Sequence, residues 1–583
     1  MPPDSLEERF AELLDQVSQE HGPSGQGAVR PETSSDGDSI LIMRALAYVL
    51  EKTERIVEEG ASALRSSVGT HLFPTEFVPK GSMLVLEQDS DIDRVCQLPP
   101  GTEFFLQRPN LGTQRFRKIA STPLSPFRIR GVAHNFNDDR HTTDLTISVR
   151  SAVAADALEM GTLRFLLRGP RTTSQKLYRS FRGDIKRIVL QMGAKEFSVE
   201  PNKIRNIFEG NNFLQLAGRN QGDLAFDIVE YFLNFPEVLL NFELKLDDIR
   251  NQWAAMGVDD DDIPGLTDSI EIRFEFEGDV FAGLELADRN FVFNPILAEN
   301  TYIKPSSVTF RNPESEAMSF DIGMTESDSE FAIDVLHVFE AGSDEDPAPS
   351  FISATASERG VPNVRGRFQL LETGRRSVEH SPLKVALADN ASQLFSEPIP
   401  FMANLLCTNG EAVQGLETGA VFRTEHNELG VLVFRSVTPS TRYQTVDGDR
   451  HQLLNELLDV YGCDIDVFGD TARLKAIWMF FVNRMQLPAR ETLKYSKGLL
   501  SSSLDVRQII ENRGSIPSYD IKIIIDDTVF SNGPELFVFA DVIHMLMVRM
   551  CPINSVCNFE VESSSSGEVR AWPTVIASER LTP

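Results

Sequence analysis

Apolar residues recur along residues 40–68 at alternating steps of four and three: Ile42, Leu46, Val49, Thr53, Ile56, Gly60 and Ala63. That spacing is a heptad seam, with charged side chains flanking the stripe, and it predicts an amphipathic helix. The stripe must be buried, either on the chain's own domain or in a bundle with other chains. From Phe73 to about Arg250 the period shortens. SMLVLEQ, TEFFLQR, FRIRGVAHNF and DLTISVRS read as strands between Pro and Gly turns. GPRTTSQKLYRSFRGDIKRIVLQMG and DLAFDIVEYFLNFPEVLLNFEL bring helices into the same region. IEIRFEFEGDVF alternates with period two, and strands continue to about Glu340. HQLLNELLDVYG and DTARLKAIWMFFVNRMQ then read as helices, YDIKIIIDD as a strand, and residues 535–550 as a last helix.

Strands and helices do not alternate as in a doubly wound sheet, so the expected fold class is multi-domain α+β built of β-rich modules, with an N-terminal helix for a multi-chain bundle. Composition places the boundaries. Residues 1–39 form an acidic, flexible leader with a short helix, 40–72 the bundle helix, and 73–255 a first α+β domain. Residues 256–400 form a β-rich middle domain with acidic loops, and 401–583 a C-terminal α+β domain. Residues 343–362 have loop composition and predict a boundary or an exposed excursion.

The 583 residues are too many for one core, and 41% apolar residues suffice to fill several. Lys and Arg total 56 against 86 Asp and Glu, a net charge of −30. That balance argues against a nucleic-acid partner and against an anionic membrane surface. The start lacks the pattern of a secretory signal, and the most apolar late stretch carries Asp541, His544 and Arg549. The expectation is a protein of the cytoplasm with no direct membrane insertion.

Candidate chemistry is sparse. Cys551 and Cys557 are too far apart for a zinc knuckle, and Cys96, Cys407 and Cys463 stand alone. All five read as inert packing residues without a disulfide framework. Asp260, Asp262, Gly265, Asp268 and Glu271 fall at calcium-loop positions, but Pro264 replaces an oxygen ligand and a strand pattern follows, so a solvated acidic loop is the expectation. His141 and Asp144 lack a nucleophile elbow beside them. Asp526 and Asp527, adjacent at a strand end, point apart. No catalytic, cofactor-binding or metal pattern emerges, and no cofactor is expected.

Five segments, in order, resemble the TssF family (also called ImpG or VasA) of type VI secretion baseplates. The first is LFPTEFVPKGSMLVLE, with Phe73, Pro74, Pro79, Ser82 and Met83. QRFRKIASTPLSPFRIRGV follows with Arg115, Phe116 and Arg117. A helix then ends in Glu230, Tyr231 and Phe232, followed by Phe235, Pro236, Glu237 and the strand Phe242–Leu246. Leu406, Cys407, Thr408 and Asn409 form a turn. A last helix leads to Ile553, Asn554 and Ser555, which turn the chain into a hairpin closing on Gly567, Glu568, Val569, Trp572 and Pro573. The chain departs from the family in its acidic Ser/Gly-rich leader and in a first helix whose one aromatic is Tyr48.

The resemblance implies a structural subunit similar to the wedge proteins of contractile phage baseplates. Two copies would join one TssG-like chain through a bundle of N-terminal helices, so Ile42, Leu46, Val49, Thr53, Ile56 and Ala63 become the expected partner interface. TssK, the sheath-linking TssE, the VgrG spike region and neighbouring wedges are the further implied partners. The place of action would be the inner face of the cell envelope, where the ring docks to the membrane complex. The alternatives are a wedge protein of a phage tail or extracellular contractile particle, and a hydrolase effector.

Overall fold

The computed structural model describes residues 78–577, apart from residues 156–160, 208–225, 253–266, 312–316, 343–347, 354–362, 372–381, 388–398 and 446–449 and a few short loop positions. The chain divides into two compact units, of which the larger spans Phe73–Asp447 and Asn455–Pro583 and carries the sheets. The heptad seam from Ile42 to Ala63, with Phe73 and Pro74, lies outside the described residues.

Six strands close a barrel, in the order Met83–Gln88, Ile296–Glu299, Gly112–Lys118, Glu103–Arg108, Val421–His426 and Gly430–Ser436. Period-two alternation fills it: Leu84, Leu86, Phe104, Phe116, Phe422 and Phe434 point inward and are fully buried. Phe104 meets Phe434 edge-on at 5.0 Å, and Phe116 meets Phe422 at 5.4 Å. Closure needs both sheet edges to find partners, and distant strands supply them. The barrel therefore takes strands from all three of the segments 73–255, 256–400 and 401–583, so the compositional boundaries do not coincide with the sheets.

A five-stranded sheet carries the long strands Thr142–Ala155 and Thr267–Glu277, and a four-stranded sheet pairs Thr162–Leu167 with Asn241–Lys245 and Phe291–Phe293. An eight-stranded sheet pairs Pro400–Thr408 with Phe331–Glu340, next to its edge strand Tyr302–Pro305. Within it lies Ser350–Ser353, where Phe351 and Ile352 are buried. This corrects the expected boundary or exposed excursion at residues 350–353. A four-residue strand disappears when composition is averaged over a window of polar neighbours.

Six helices complete the described chain: α1 (Arg171–Gly183), α2 (Asp227–Asn234), α3 (Arg450–Tyr461), α4 (Thr471–Arg484), α5 (Ala489–Gly498) and α6 (Gly533–Met550). Asp470 caps α4 by accepting from Ala472 and Arg473 N–H, and Asn532 caps α6 by accepting from Glu535 N–H. Phe232, Trp478, Tyr495 and Phe539 pack the space between α2, α4, α5 and α6, with ring centroids 4.8–6.2 Å apart.

The last sheet begins with the hairpin Leu499–Glu511 and Gly514–Ile525 and continues through Ser555–Ser563 to Val569–Ala571, with Val575–Ala577 also on Ser555–Ser563. Gly514–Ile525 and Ser555–Ser563 are parallel, and α6 is the crossover between them. Asp268 and Glu271, of the calcium-loop pattern, sit on the strand Thr267–Glu277, with Glu271 opposite Ser148 and Gln191. The other positions of that pattern lie outside the described residues. His141 occupies a turn at φ 52°, and Asp144 faces Asn135 and Glu275 across a sheet.

Candidate assembly site

The motif residues serve three junctions. At the first, α2 carries Asp227 and Glu230 in its opening turn, where the helix dipole favours acids. Pro236 has no N–H to continue the helix, so Phe235 leaves it at φ −141° and a 3-10 turn Pro236–Leu240 leads into the strand Asn241–Lys245. Phe235 is buried, and Phe232 presses into Tyr495 at 4.8 Å. Glu230 makes an ion pair with Lys80, just ahead of the barrel strand that begins at Met83. Beside Pro236 and Glu237 opens a cavity of about 470 Å³, lined also by Leu167, Gln175, Val437 and Tyr495. Burial pushes the Glu237 carboxyl up from its ordinary range.

The second junction ties the barrel to the eight-stranded sheet. The barrel strand Ile296–Glu299 ends just before Asn300, and Tyr302–Pro305 of the other sheet starts just after it. Asn300 is fully buried, as is Thr408, and Asn409 nearly so. Asn300 Oδ1 accepts from Asn409 N–H at 2.9 Å, and its Nδ2 donates to Asn409 Oδ1 at 3.0 Å and to the Arg115 carbonyl at 2.6 Å. Thr408 Oγ1 donates to the Asn300 carbonyl at 2.9 Å. Arg115, pairing with Glu103, also covers the rings of Phe105 and Tyr302. Gly410 follows at φ 53°, where an added Cβ would lie 2.6 Å from the Phe331 ring. Burial pushes the Cys407 thiol up to about 12, which leaves it unreactive.

The third junction joins the C-terminus to α1. Asp541 of α6 is fully buried and accepts from Arg182 Nε at 2.8 Å, Arg182 Nη2 at 2.9 Å, Trp572 Nε1 at 2.9 Å and the Tyr178 hydroxyl. Burial alone would raise its pKa; the Arg182 guanidinium, with His544 and the Tyr178 hydroxyl, more than reverses that, so the carboxyl sits below its ordinary range. His544 lies beside it with no hydrogen bond to either ring nitrogen, its Nδ1 3.9 Å from Asp541, and burial lowers its pKa to about 4. Asn554, at φ 57°, reverses the chain between α6 and Ser555–Ser563, and the hairpin to Val569–Ala571 turns at Gly567, φ 66°, as the pattern of turn residues predicts.

That reversal also corrects the reading of two cysteines. Cys551 and Cys557 are bonded as a disulfide with their Cα atoms 6.7 Å apart. Their spacing in sequence carried no such signal, because the contact depends on the turn at Asn554 folding the strand back onto the end of α6. Cys96, Cys407 and Cys463 are free.

Among the described residues no group of three or more His, Cys, Asp or Glu side chains is placed to hold a metal ion, and no helix is long and apolar enough to cross a membrane. At the second and third junctions buried polar groups bind each other across sheets and helices, which holds those joints in one geometry. The family described as "Type VI secretion system, TssF" matches residues 41–579. The chain belongs to the TssF family. Its fold is that of a chain in the TssK-TssF-TssG baseplate subcomplex of the type VI secretion system, with a TM-score of 0.73 at 13% identity, covering 92% of this chain and 98% of that one. A chain of a type VI secretion baseplate complex gives 0.51 at 12% identity, covering 98% of each. No curated protein matches.

Within this TssF-family chain Glu230, Pro236, Thr408, Asn409, Asn554 and Trp572 sit where one element is tied to the next. Sequence reasoning found Thr408, Asn409 and Trp572 but missed Asn300, which binds the first two, and the role of Asp541, which binds Trp572 together with Tyr178 and Arg182. An isolated Asn in NPILAENTYI carries no local mark, whereas an acid within the apolar run ELFVFADVIHMLM is a visible anomaly that calls for a buried partner.

Proposed function

We propose that this chain is a structural wedge subunit of a type VI secretion baseplate, with no catalytic role, held by a TssG-like chain and TssK. The match to the TssF family over residues 41–579 carries the reading. The likeness to a chain from a TssK-TssF-TssG subcomplex supports the two partners. Two copies of this chain meet one TssG-like chain, and the seam Ile42, Leu46, Val49, Thr53, Ile56 and Ala63 enters a shared bundle. The assembled wedge, with its neighbours, the sheath-linking TssE and the VgrG spike region, docks the tube and sheath onto the membrane complex at the inner face of the envelope. The family match favours this setting over a phage tail, and the buried, mutually satisfied polar network at Asp541 suits rigid scaffolding better than hydrolysis.

Co-expression with the TssG-like chain tests it. The expected result is a complex with two copies of this chain per partner, read by native mass spectrometry. A monodisperse monomer that ignores the TssG-like chain overturns it.

A further inference from the structure

The strand Leu499–Glu511 lies at the edge of the C-terminal sheet. Natural edge strands are kept short, or carry Pro, Lys or a bulge that blocks further pairing. This one is 13 residues long, lacks Pro and Lys, and has its one register irregularity at the base, between Leu499 and Ser501. It exposes Leu500 (47%), Val506 (51%) and Ile510 (88%). The hairpin's Pro517 and Lys522 stand on the inner strand instead.

Only the base of the edge is covered. Ser502 N–H donates to Thr471 Oγ1 at 2.8 Å, and a side chain at Gly469 would touch Leu504. Ser502 thus turns its amide away from the hairpin partner, and alternation turns the amides of Leu504, Val506, Gln508 and Ile510 the same way. Beyond Ser502 no described backbone outside the hairpin bonds to this strand.

We propose that this strand pairs antiparallel with the same strand of a second copy of the chain, centred on Val506. Charge fits a second copy as the occupant and narrows the register: among centres that set no like charges together, Val506 pairs more of the strand than Ile509 and overlaps its covered base less than Leu504. A two-fold axis normal to the sheet keeps each face on the same side, so the centre must fall on a residue. Centring on Asp505 or on Arg507 sets like charges against each other, and centring on Gln508 sets Asp505 against Glu511. Centring on Val506 sets Asp505 against Arg507 of the second copy, twice, and Leu504 against Gln508, twice. Within one copy Arg507 already holds Asp505 at 2.8 Å and lies 3.4 Å from Asp520, so the guanidinium is presented on the face where the second Asp505 arrives. The pairing carries Ile510 toward the other copy's turn Ile465–Gly469, which abuts the base of its strand, and removes from water the most exposed large apolar side chain among the described residues. It goes beyond the baseplate reading and requires neither TssG nor TssK.

The two-fold position gives the test. In an antiparallel hydrogen-bonded pair the two Cα atoms are about 5.5 Å apart, within disulfide reach. The full-length Val506→Cys chain, purified alone and mildly oxidised, is expected to form a covalent dimer on a non-reducing gel. The native chain and Ile509→Cys, whose cysteine would face Ser503, are expected to stay at background. In the Val506→Cys chain, adding Asp505→Arg or Arg507→Asp sets like charges across the axis and is expected to slow cross-linking at least tenfold. Mixing those two variants restores opposite pairs and is expected to restore the rate as a heterodimer. A Val506→Cys chain that stays monomeric, or one whose cross-linking ignores the charge changes, overturns the proposal, including the case where the edge accepts a strand of another protein. Cross-linking without any binding to a TssG-like chain would leave this inference standing while removing the wedge reading.

Discussion

Trp572 Nε1 donates to Asp541 Oδ1 at 2.9 Å, so the last hairpin is bonded to a carboxylate buried inside the preceding helix. The same carboxylate holds Arg182 and Tyr178 of α1. One residue therefore locks three chain segments, and its loss takes a fully buried carboxylate from the Arg182 guanidinium, itself 13% exposed. Asp541→Ala is expected to cost about 3–5 kcal/mol, the range for breaking a buried ion pair. Trp572→Phe, which keeps most of the packing, is expected to cost about 1–2 kcal/mol. Urea unfolding midpoints check both; equal effects would place the energy in the ring rather than in the carboxylate network.

His544 makes stability depend on acid. Its folded pKa, about 4, lies below the ordinary 6.5, so in that window the unfolded chain binds a proton that the folded chain does not. Stability is expected to fall as pH drops from 6.5 to 4, by on the order of 3 kcal/mol, and no further from this residue below that. His544→Phe is expected to flatten that limb of the curve, measured by thermal melts across the range.

At the barrel junction, Gly410→Ala forces a methyl against Phe331 in a backbone conformation that disfavours side chains. A loss of about 2–3 kcal/mol is expected. Asn300→Ala takes the acceptor from the buried Asn409 N–H while the Thr408 hydroxyl keeps the Asn300 carbonyl, and about 1–3 kcal/mol is expected. Because both act at one joint, the double variant is expected to cost less than the sum of the two singles, a non-additivity that denaturant titration can read.

The disulfide has a simple signature. Denatured without reductant, the chain is expected to titrate three thiols, and after reduction five. Cys557 is fully buried and Cys551 7% exposed, so reductant is expected to open the bond only at concentrations of denaturant that unfold the C-terminal sheet.

The seam near the N-terminus is tested by charge. Leu46→Asp with Val49→Asp is expected to abolish assembly with the TssG-like chain while the C-terminal sheet stays folded, seen by co-purification and by limited proteolysis. Unchanged assembly would mean that the stripe is covered by this chain itself.

Local pattern was enough for the elements whose causes are local. The period-two run of Thr267–Glu277, the helix broken at Pro236, and the turns at Asn554 and Gly567 could all be read from neighbours a few residues apart. Composition, averaged over tens of residues, could not resolve the buried strand at Phe351 and Ile352. It also placed the 400/401 boundary inside the strand Pro400–Thr408 and divided one barrel among three segments.

What the sequence by itself determined was the family, the β-rich modules and the positions of the turns, because each is written in residue types at short spacing. Only the tertiary structure decided that Met83–Gln88 closes a barrel with Ile296–Glu299 and Gly430–Ser436, that Asn300 meets Asn409, and that Cys551 meets Cys557. The first two are contacts between residues more than a hundred positions apart, and the third spans six residues but depends on how a helix end faces a returning strand. Such pairings are selected by which buried groups can satisfy one another once the chain is compact, and no local spacing records that choice.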